Sequence, residues 1–306
     1  MRPETREYPF DWMLWRTFLE ASRIKRGTEK EYRTTLAKVP YFRGIVGRIL
    51  DAGKAGEAFL SLSADYLDNM VHARERGLKN AITTFCFNPA LLYAMGVTPI
   101  CLEILTTMMA LTYRRGTGEF LDYCNEIGFT ETSCSSQRGA LGAILAGVSS
   151  EVDLVLTDSA GICDTNANAF AFAAAYLEKP FYQLDMPPRL TGESSRDYHR
   201  QDFRALIRFL EAHTGRALDR ERLLAVILEM EKQDRLIAEL EDMARLIPNP
   251  LPGIFQLFVY GSRFMFAGMP KCTRVLEAMV EAGRANAQAG RAGMKGGQER
   301  LRALFC

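Results

Sequence analysis

Hydrophobic residues recur along the chain with two different periods. Over residues 8–80 they follow helical spacing, for example at Phe59, Leu62, Tyr66 and Met70. From residue 79 onward, short apolar runs alternate with longer helical stretches. The pattern predicts a helical N-terminal region followed by strands interleaved with helices.

The short apolar runs predict four strands. They are AITTF (81–85), TPICLEIL (98–105), VDLVLTD (152–158) and PFYQLDMP (180–187). Helical patterns lie between and beside them, at 89–95, 103–113, 136–145 and 167–177. Strands that alternate with helices favour an α/β fold with an open, mostly parallel sheet of the flavodoxin-like or Rossmann-like kind.

After residue 195 the pattern becomes that of long amphipathic helices. The first runs to His213, and a second begins after Asp219, a good helix N-cap, and continues to Leu246 before Pro248 stops it. A further helix is predicted at 271–289, after a proline-rich loop and an aromatic segment.

These patterns predict four regions and a chain that stops inside a further domain. They are a helical region at 1–78, an α/β domain at 79–194, long C-terminal helices at 195–300, and the opening of a second α/β domain at 301–306. The last prediction rests on Leu301–Phe305, which resembles the start of a strand after a glycine-rich loop.

Composition and charge exclude several functional classes. The formal net charge is +1, so no overall field would draw the chain to nucleic acid or to an anionic membrane. No basic leader precedes an apolar run, and no stretch reaches about 18 apolar residues, so we expect a cytoplasmic protein. The seven cysteines form no CxxC pair, which favours reduced thiols. No glycine-rich phosphate-binding motif follows a predicted strand.

Candidate chemistry is concentrated at the ends of the predicted strands. Cys86 follows the first run, Asp158 ends the third and is followed by Cys163 and Asp164, and Asp185 lies near the end of the fourth. In an open parallel sheet the functional crevice lies beyond these carboxyl ends, so we expect these side chains at one edge.

A further cysteine, Cys134, precedes a predicted helix whose positive dipole end would favour a thiolate or another anion. Thiolates suit iron-sulfur clusters or zinc. A free cysteine is also a common small core residue, and from spacing alone both interpretations stay open.

Other polar residues and cysteines have less specific interpretations. Cys101 and Cys124 are expected in the core. Asp164 and Asp185 either orient a site or cap local structure, and the two histidines of the first long helix, His199 and His213, are expected to be solvated. Arg138 could contact a phosphate or thioester group of a ligand, or it could be an ordinary surface arginine.

Four ordered segments resemble blocks of the 2-hydroxyacyl-CoA dehydratase and benzoyl-CoA reductase family. They are FCFNPALLYAMGVTPICLE (85–103), TSCSSQRGALGAILAG (132–147), VDLVLTDSAGICDTNANAF (152–170) and PFYQLDMP (180–187). The resemblance implies a 4Fe-4S cluster with Cys86 and Cys134 as ligands. Cys163 is a further candidate for cofactor binding, or else a buried structural thiol. Two departures are the absence of an acidic residue after Pro89 and the end of the chain before a further domain with another cysteine.

The resemblance also implies an activity and its partners. The expected function is that of an iron-sulfur dehydratase subunit that removes water from a 2-hydroxyacyl-CoA by way of a ketyl radical. The expected partners are a paralogous subunit in a heterodimer, an ATP-dependent iron-sulfur activator and the acyl-CoA substrate, with no nucleic acid and no membrane. The alternatives are a subunit of the benzoyl-CoA reductase type and a non-catalytic partner for electron transfer or structure.

Overall fold

The computed structural model describes residues 42–112, 117–146, 152–158, 163–187, 189, 191–294, 296, 299 and 302. The predicted helices before residue 42, Cys306 and most of the predicted strand start at 301–305 lie outside these ranges. None of the helices within them has both the length and the apolar character needed to cross a membrane.

Four strands and eleven α-helices make up the described residues. The strands are β1 (Lys79–Thr83), β2 (Val97–Cys101), β3 (Leu154–Asp158) and β4 (Phe181–Leu184). The helices are α1 (Phe42–Leu50), α2 (Lys54–Val71), α3 (Ala90–Ala94), α4 (Leu102–Thr112), α5 (Gly118–Glu126), α6 (Ser135–Leu145), α7 (Asp164–Leu177), α8 (Glu193–Thr214), α9 (Arg220–Met243), α10 (Phe255–Phe264) and α11 (Pro270–Gln288).

The four strands form one parallel sheet in the order β2-β1-β3-β4. β2 and β3 are buried along their whole length, whereas β4 at the edge is only partly buried. Helices cover both faces of such a sheet, which explains why its inner strands are nearly continuous apolar runs. The predicted α/β class and parallel sheet are confirmed.

Alternate residues of each strand enter two separate cores. Ile82 and Val155 face the larger core, which they share with α2, α4–α7, α10 and α11. Ala81 and Leu156 face a smaller core under α3 and α8. The helices before and after the sheet therefore bury their apolar faces in the same core as the strands, while the predicted division into domains stays a prediction.

The long C-terminal helices form where the sequence predicts them. The side chain of Asp219 accepts hydrogen bonds from the backbone N–H groups of Glu221 and Arg222, so it caps α9 as expected. Pro270 occupies the start of α11, where its missing N–H costs nothing. The aromatic segment after the proline-rich loop is itself a helix, α10.

One prediction about secondary structure was wrong, and one helix was missed. The run 98–105 is not one strand, because β2 ends at Cys101 and α4 begins at Leu102 without a loop. The apolar residues continue across this junction since both elements are buried. The missed helix is α5, which sequence reasoning did not predict because only Phe120, Tyr123 and Cys124 of this short polar segment are buried.

Candidate functional site

A topological switch point lies between β1 and β3. From β1 the chain moves toward one edge of the sheet to form β2, and from β3 it moves toward the opposite edge to form β4. In open parallel sheets, ligands bind in the crevice just beyond the carboxyl ends of two such strands. Residues 84–86 follow β1, and Asp158 and Cys163 lie at and after the end of β3. We call the space bordered by these residues the Cys86 crevice.

Buried hydrogen bonds fix the backbone that carries Cys86. The hydroxyl oxygen of Thr84 accepts a hydrogen bond from the backbone N–H of Cys86 at 2.8 Å and another from Nδ2 of Asn166 at 3.0 Å. Thr84 and Asn166 are both fully buried. Because Asn166 lies in the first turn of α7, this pair of bonds ties the loop after β1 to the helix that follows β3.

Two buried carboxyl groups flank the crevice. Glu103, one residue into α4, accepts hydrogen bonds from the backbone N–H of Phe85 at 3.2 Å and from the Cys101 thiol at 3.3 Å. Asp158 is the last residue of β3 and only 2 % exposed. Burial raises the pKa of both carboxyl groups, because a low-dielectric environment disfavours the charged form.

The Cys86 thiol is half-buried beside these acids, and its pKa is raised to about 11. Burial is the main cause, and the negative charge of Asp158 adds to it, while the hydrogen bond with Thr84 acts in the opposite direction. Without a bound cation, Cys86 is therefore a neutral thiol at pH 7. A metal ion would stabilise the thiolate and displace the proton, since metal ligation requires the deprotonated sulfur.

Unsatisfied polar atoms gather at the same strand ends. Within the described part of the chain, Thr83 Oγ1, Glu103 Oε1 and Asn166 Oδ1 are buried and have no hydrogen-bond partner. Buried polar groups in native proteins are nearly always paired with protein, water or ligand. Unpaired polar atoms near Cys86 are expected if this region binds a polar ligand or an ordered water.

The other two candidate cysteines differ in their relation to Cys86. Cys163 occupies the N-cap position of α7, is half-buried, and belongs to the groups whose charge acts on Cys86. Cys134 occupies the N-cap position of α6 and is exposed. It is not among the groups whose charge most strongly affects the pKa of Cys86. The predicted convergence of Cys86 with the residues after β3 is thus present, and the predicted pairing of Cys86 with Cys134 stays a prediction.

Arg138 holds the loop that carries Cys134. Its guanidinium donates hydrogen bonds to Asn125 Oδ1 at 2.6 Å and to the backbone carbonyl oxygens of Ser133 at 3.1 Å and Glu131 at 3.2 Å. The residue is 6 % exposed. The interpretation of Arg138 as a surface arginine is wrong, because the residue is buried. Three of its five N–H groups donate to partners inside the protein, and its contact with a phosphate or thioester stays a prediction.

Two glycines bring α6 unusually close to its neighbours. A Cβ atom placed on Gly142 would lie 2.2 Å from the carbonyl oxygen of Phe120, and one on Gly139 would lie 2.6 Å from the Thr106 methyl group. The same face of α6 donates the backbone N–H of Ala140 to the Thr106 hydroxyl at 2.8 Å. Only glycine permits this approach, so the helix that begins next to Cys134 is seated directly on α5 and α4.

The polar residues after β4 are engaged with α8. Asp185 accepts a hydrogen bond from the Tyr198 hydroxyl at 2.6 Å, and its backbone N–H donates to Asp202 at 2.6 Å. His199 lies 3.2 Å from the carbonyl oxygen of Asp185 and is half-buried, whereas His213 is exposed as predicted. Asp164 is exposed in the first turn of α7. Of the two earlier alternatives for Asp185, these contacts favour local structure.

The cysteines near the crevice are the type of ligand that a metal cluster needs, but there are too few of them among the described residues. Cys86 and Cys163 place two sulfur atoms on neighbouring loops, and clusters of the 4Fe-4S type are held by up to four thiolates. Among the described residues no group of three or more cysteine, histidine, aspartate or glutamate side chains is arranged to hold a metal ion. These residues alone do not complete a ligand set.

Sequence reasoning missed Glu103, Thr84 and Asn166. Glu103 was hidden because the run 98–105 was interpreted as one strand, although the position after a strand end is where polar residues matter. Thr84 and Asn166 carried no signal, since a buried threonine or asparagine next to an apolar run has no distinctive spacing. The predicted core positions of Cys101 and Cys124 are confirmed, both being fully buried.

Comparison with protein families identifies a match over most of the chain. The family model described as 2-hydroxyglutaryl-CoA dehydratase, D-component, matches residues 84–306. The match begins at Thr84, so it includes the whole Cys86 crevice as well as the Cys134 loop. Comparison with curated proteins gives no match. The chain belongs to the 2-hydroxyglutaryl-CoA dehydratase D-component family.

Proposed function

We propose that the chain is a subunit of an iron-sulfur acyl-CoA dehydratase, which removes water from a 2-hydroxyacyl-CoA after an activator has supplied an electron in an ATP-dependent step. The observation that carries the proposal is the Cys86 crevice: a half-buried thiol at the switch point, inside the family match and surrounded by buried groups with unsatisfied polar atoms. Family membership supports the dehydratase type of chemistry.

Cys86 and Cys134 are the proposed cluster ligands, with Cys163 as a further candidate. A 4Fe-4S cluster would supply electrons one at a time at low potential, which ordinary side chains cannot do. The roles of this chain's own residues follow from their contacts. Thr84 and Asn166 hold the backbone of Cys86, and Glu103 holds the N–H of Phe85.

The proposed partners are a paralogous subunit, an ATP-dependent iron-sulfur activator and the acyl-CoA substrate. A second candidate function is a non-catalytic partner subunit for electron transfer or structure. The incomplete set of metal-binding side chains among the described residues favours it. A reductase of the benzoyl-CoA type would use the same site, and analysis of the product formed by the assembled enzyme would separate it from a dehydratase.

Iron analysis of the full chain, purified anaerobically, tests the proposal. We expect about four iron and four sulfide per chain and a brown colour. Replacing either Cys86 or Cys134 by serine should abolish the cluster absorbance near 400 nm, so that roughly the whole signal is lost in each variant. A colourless, iron-free protein would contradict the proposed function.

Cys272→Ala is the matched control for the two serine variants. Cys272 is fully buried in the larger core, far along the chain from the crevice. Cys101 is less suitable because its thiol donates to Glu103, which contacts the Cys86 loop. Iron loss in the Cys272→Ala variant equal to that in Cys86→Ser would mean that the loss reflects destabilisation of the fold.

A further inference from the structure

A cleft of about 300 Å³ lies between the C-terminal end of α9, residues 249–253, α10 and α11. This volume is at the small end of the range for ligand sites. Its walls are mainly apolar, with Leu240, Leu251, Phe255, Val259, Phe264 and Met279. No part of the site described above accounts for it.

One wall of the cleft adjoins the Cys86 loop. Phe264 and Tyr260 line the cleft, and both rings contact Phe85, with centroids 5.5 Å and 6.4 Å apart. Phe85 directly precedes Cys86. The charges of Glu103 and Cys86 also act on the Tyr260 hydroxyl, so this side chain stands between the cleft and the crevice.

Tyr260 has a free hydrogen-bond donor at this junction. Its hydroxyl makes no hydrogen bond within the described ranges, and its ring is 40 % exposed. Burial raises its pKa to about 12, so the phenol keeps its proton at neutral pH. A protonated phenol beside a sulfur centre can donate to a carbonyl oxygen of a ligand.

A pair of opposite charges also borders the cleft. Arg263 and Glu241 form an ion pair there at 2.8 Å, and both side chains are solvent-accessible. A ligand in the cleft therefore meets mainly apolar walls, the Tyr260 hydroxyl and a pair of opposite charges.

We infer that the cleft binds the acyl chain of the CoA thioester, and that Tyr260 donates a hydrogen bond to the thioester carbonyl next to the Cys86 crevice. The inference rests on the proposed function and adds to it the cleft that determines which acyl chain lengths bind. The apolar walls favour a hydrocarbon chain over the amide-containing arm of CoA, whose polar groups would lose hydration without partners.

Binding of saturated acyl-CoA thioesters with four, six and eight carbons to the full chain, measured by calorimetry, tests the inference. Each added methylene should tighten binding by up to about fourfold as it leaves water for the cleft. Free CoA should bind most weakly. Equal affinity for all three chain lengths would overturn the inference.

A variant that fills the cleft tests the location. Ala244 lines the cleft, and Ala244→Trp should reduce the affinity for the eight-carbon thioester to that for the four-carbon one. Ala238→Trp is the matched control, because Ala238 is exposed on α9, six residues before Ala244, and does not line the cleft. If Ala244→Trp is poorly folded by circular dichroism, Val259→Phe fills the same space. Unchanged chain-length dependence in the folded cleft variants would place the acyl chain elsewhere.

The role of Tyr260 has its own readout. Tyr260→Phe should weaken binding of the thioester several-fold and leave binding of the matching alkyl-CoA thioether, which has no carbonyl, unchanged. Equal weakening of both ligands would refute the hydrogen bond. The iron content of the same preparations distinguishes failure of this inference from failure of the proposed function. Iron-loaded protein with the same affinity for every chain length contradicts only the inference about the cleft. Iron-free protein contradicts the proposed function.

Discussion

Cys86 and Cys134 receive the same proposed role, yet their surroundings differ in almost every physical respect. Cys86 is half-buried among carboxyl groups on a loop that buried side chains hold in place. Cys134 is exposed at the start of a helix, on a loop held by one arginine. The difference suggests that the surroundings of Cys86 are built in advance, while those of Cys134 are open to a partner.

The largest effect that would sharpen this contrast is expected at Arg138. Arg138→Ala should lower the free energy of unfolding by about 3 kcal/mol, because it removes three hydrogen bonds donated by a buried, charged guanidinium. Urea denaturation measures the loss. Arg235→Ala, at an exposed ion pair on α9, should be close to neutral. If the two variants were equally stable, the Cys134 loop would not depend on Arg138.

The second effect concerns the rates at which the two thiols react. At pH 8, in cluster-free protein, iodoacetamide should modify Cys134 at least about tenfold faster than Cys86, since Cys134 is exposed and the pKa of Cys86 is about 11. The rate at Cys86 should rise about tenfold per pH unit up to pH 10, as its thiolate fraction rises. Mass spectrometry of the two peptides measures both rates, and equal labelling at pH 8 would remove the contrast.

A smaller effect is expected from Asn166, which ties α7 to the Cys86 loop. Asn166→Ala should cost about 1 kcal/mol of stability through the lost hydrogen bond to Thr84. It should also speed labelling of Cys86 but not of Cys134. Asn168→Ala is the matched control, because Asn168 is exposed on the same helix. The same labelling rate at Cys86 in both variants would show that this bond does not hold the loop.

The smallest effect is electrostatic. Asp158→Asn removes a negative charge beside Cys86, so the pKa of the thiol should fall and labelling at pH 8 should rise by about threefold, the effect of half a pKa unit. Asp185→Asn, whose carboxylate contacts Tyr198 instead, should leave the rate unchanged. A slower rate in Asp158→Asn would mean that Asp158 acts on Cys86 by some means other than its charge.

The sequence was sufficient to predict the parallel sheet and its four strands to within a few residues, because buried strands and amphipathic helices leave strong periodic patterns. It was sufficient for the position of Cys86 at a strand end for the same reason. It could not predict that Arg138 is buried, since its partners are backbone carbonyl oxygens brought together by a loop. Nor could it reveal the link from Asn166 to Thr84, which joins residues 82 positions apart.

The glycine contact between α6 and α5 determines how the position of Cys134 responds to mutation. Gly142 lies eight residues from Cys134, about 12 Å along the helix axis. Any side chain at Gly142 would collide with backbone, which cannot move aside as a flexible side chain can, so the whole helix would have to shift. The position of the Cys134 thiol therefore depends on a main-chain contact about two helical turns away. Substitutions of the exposed residues around Cys134 should leave that position unchanged.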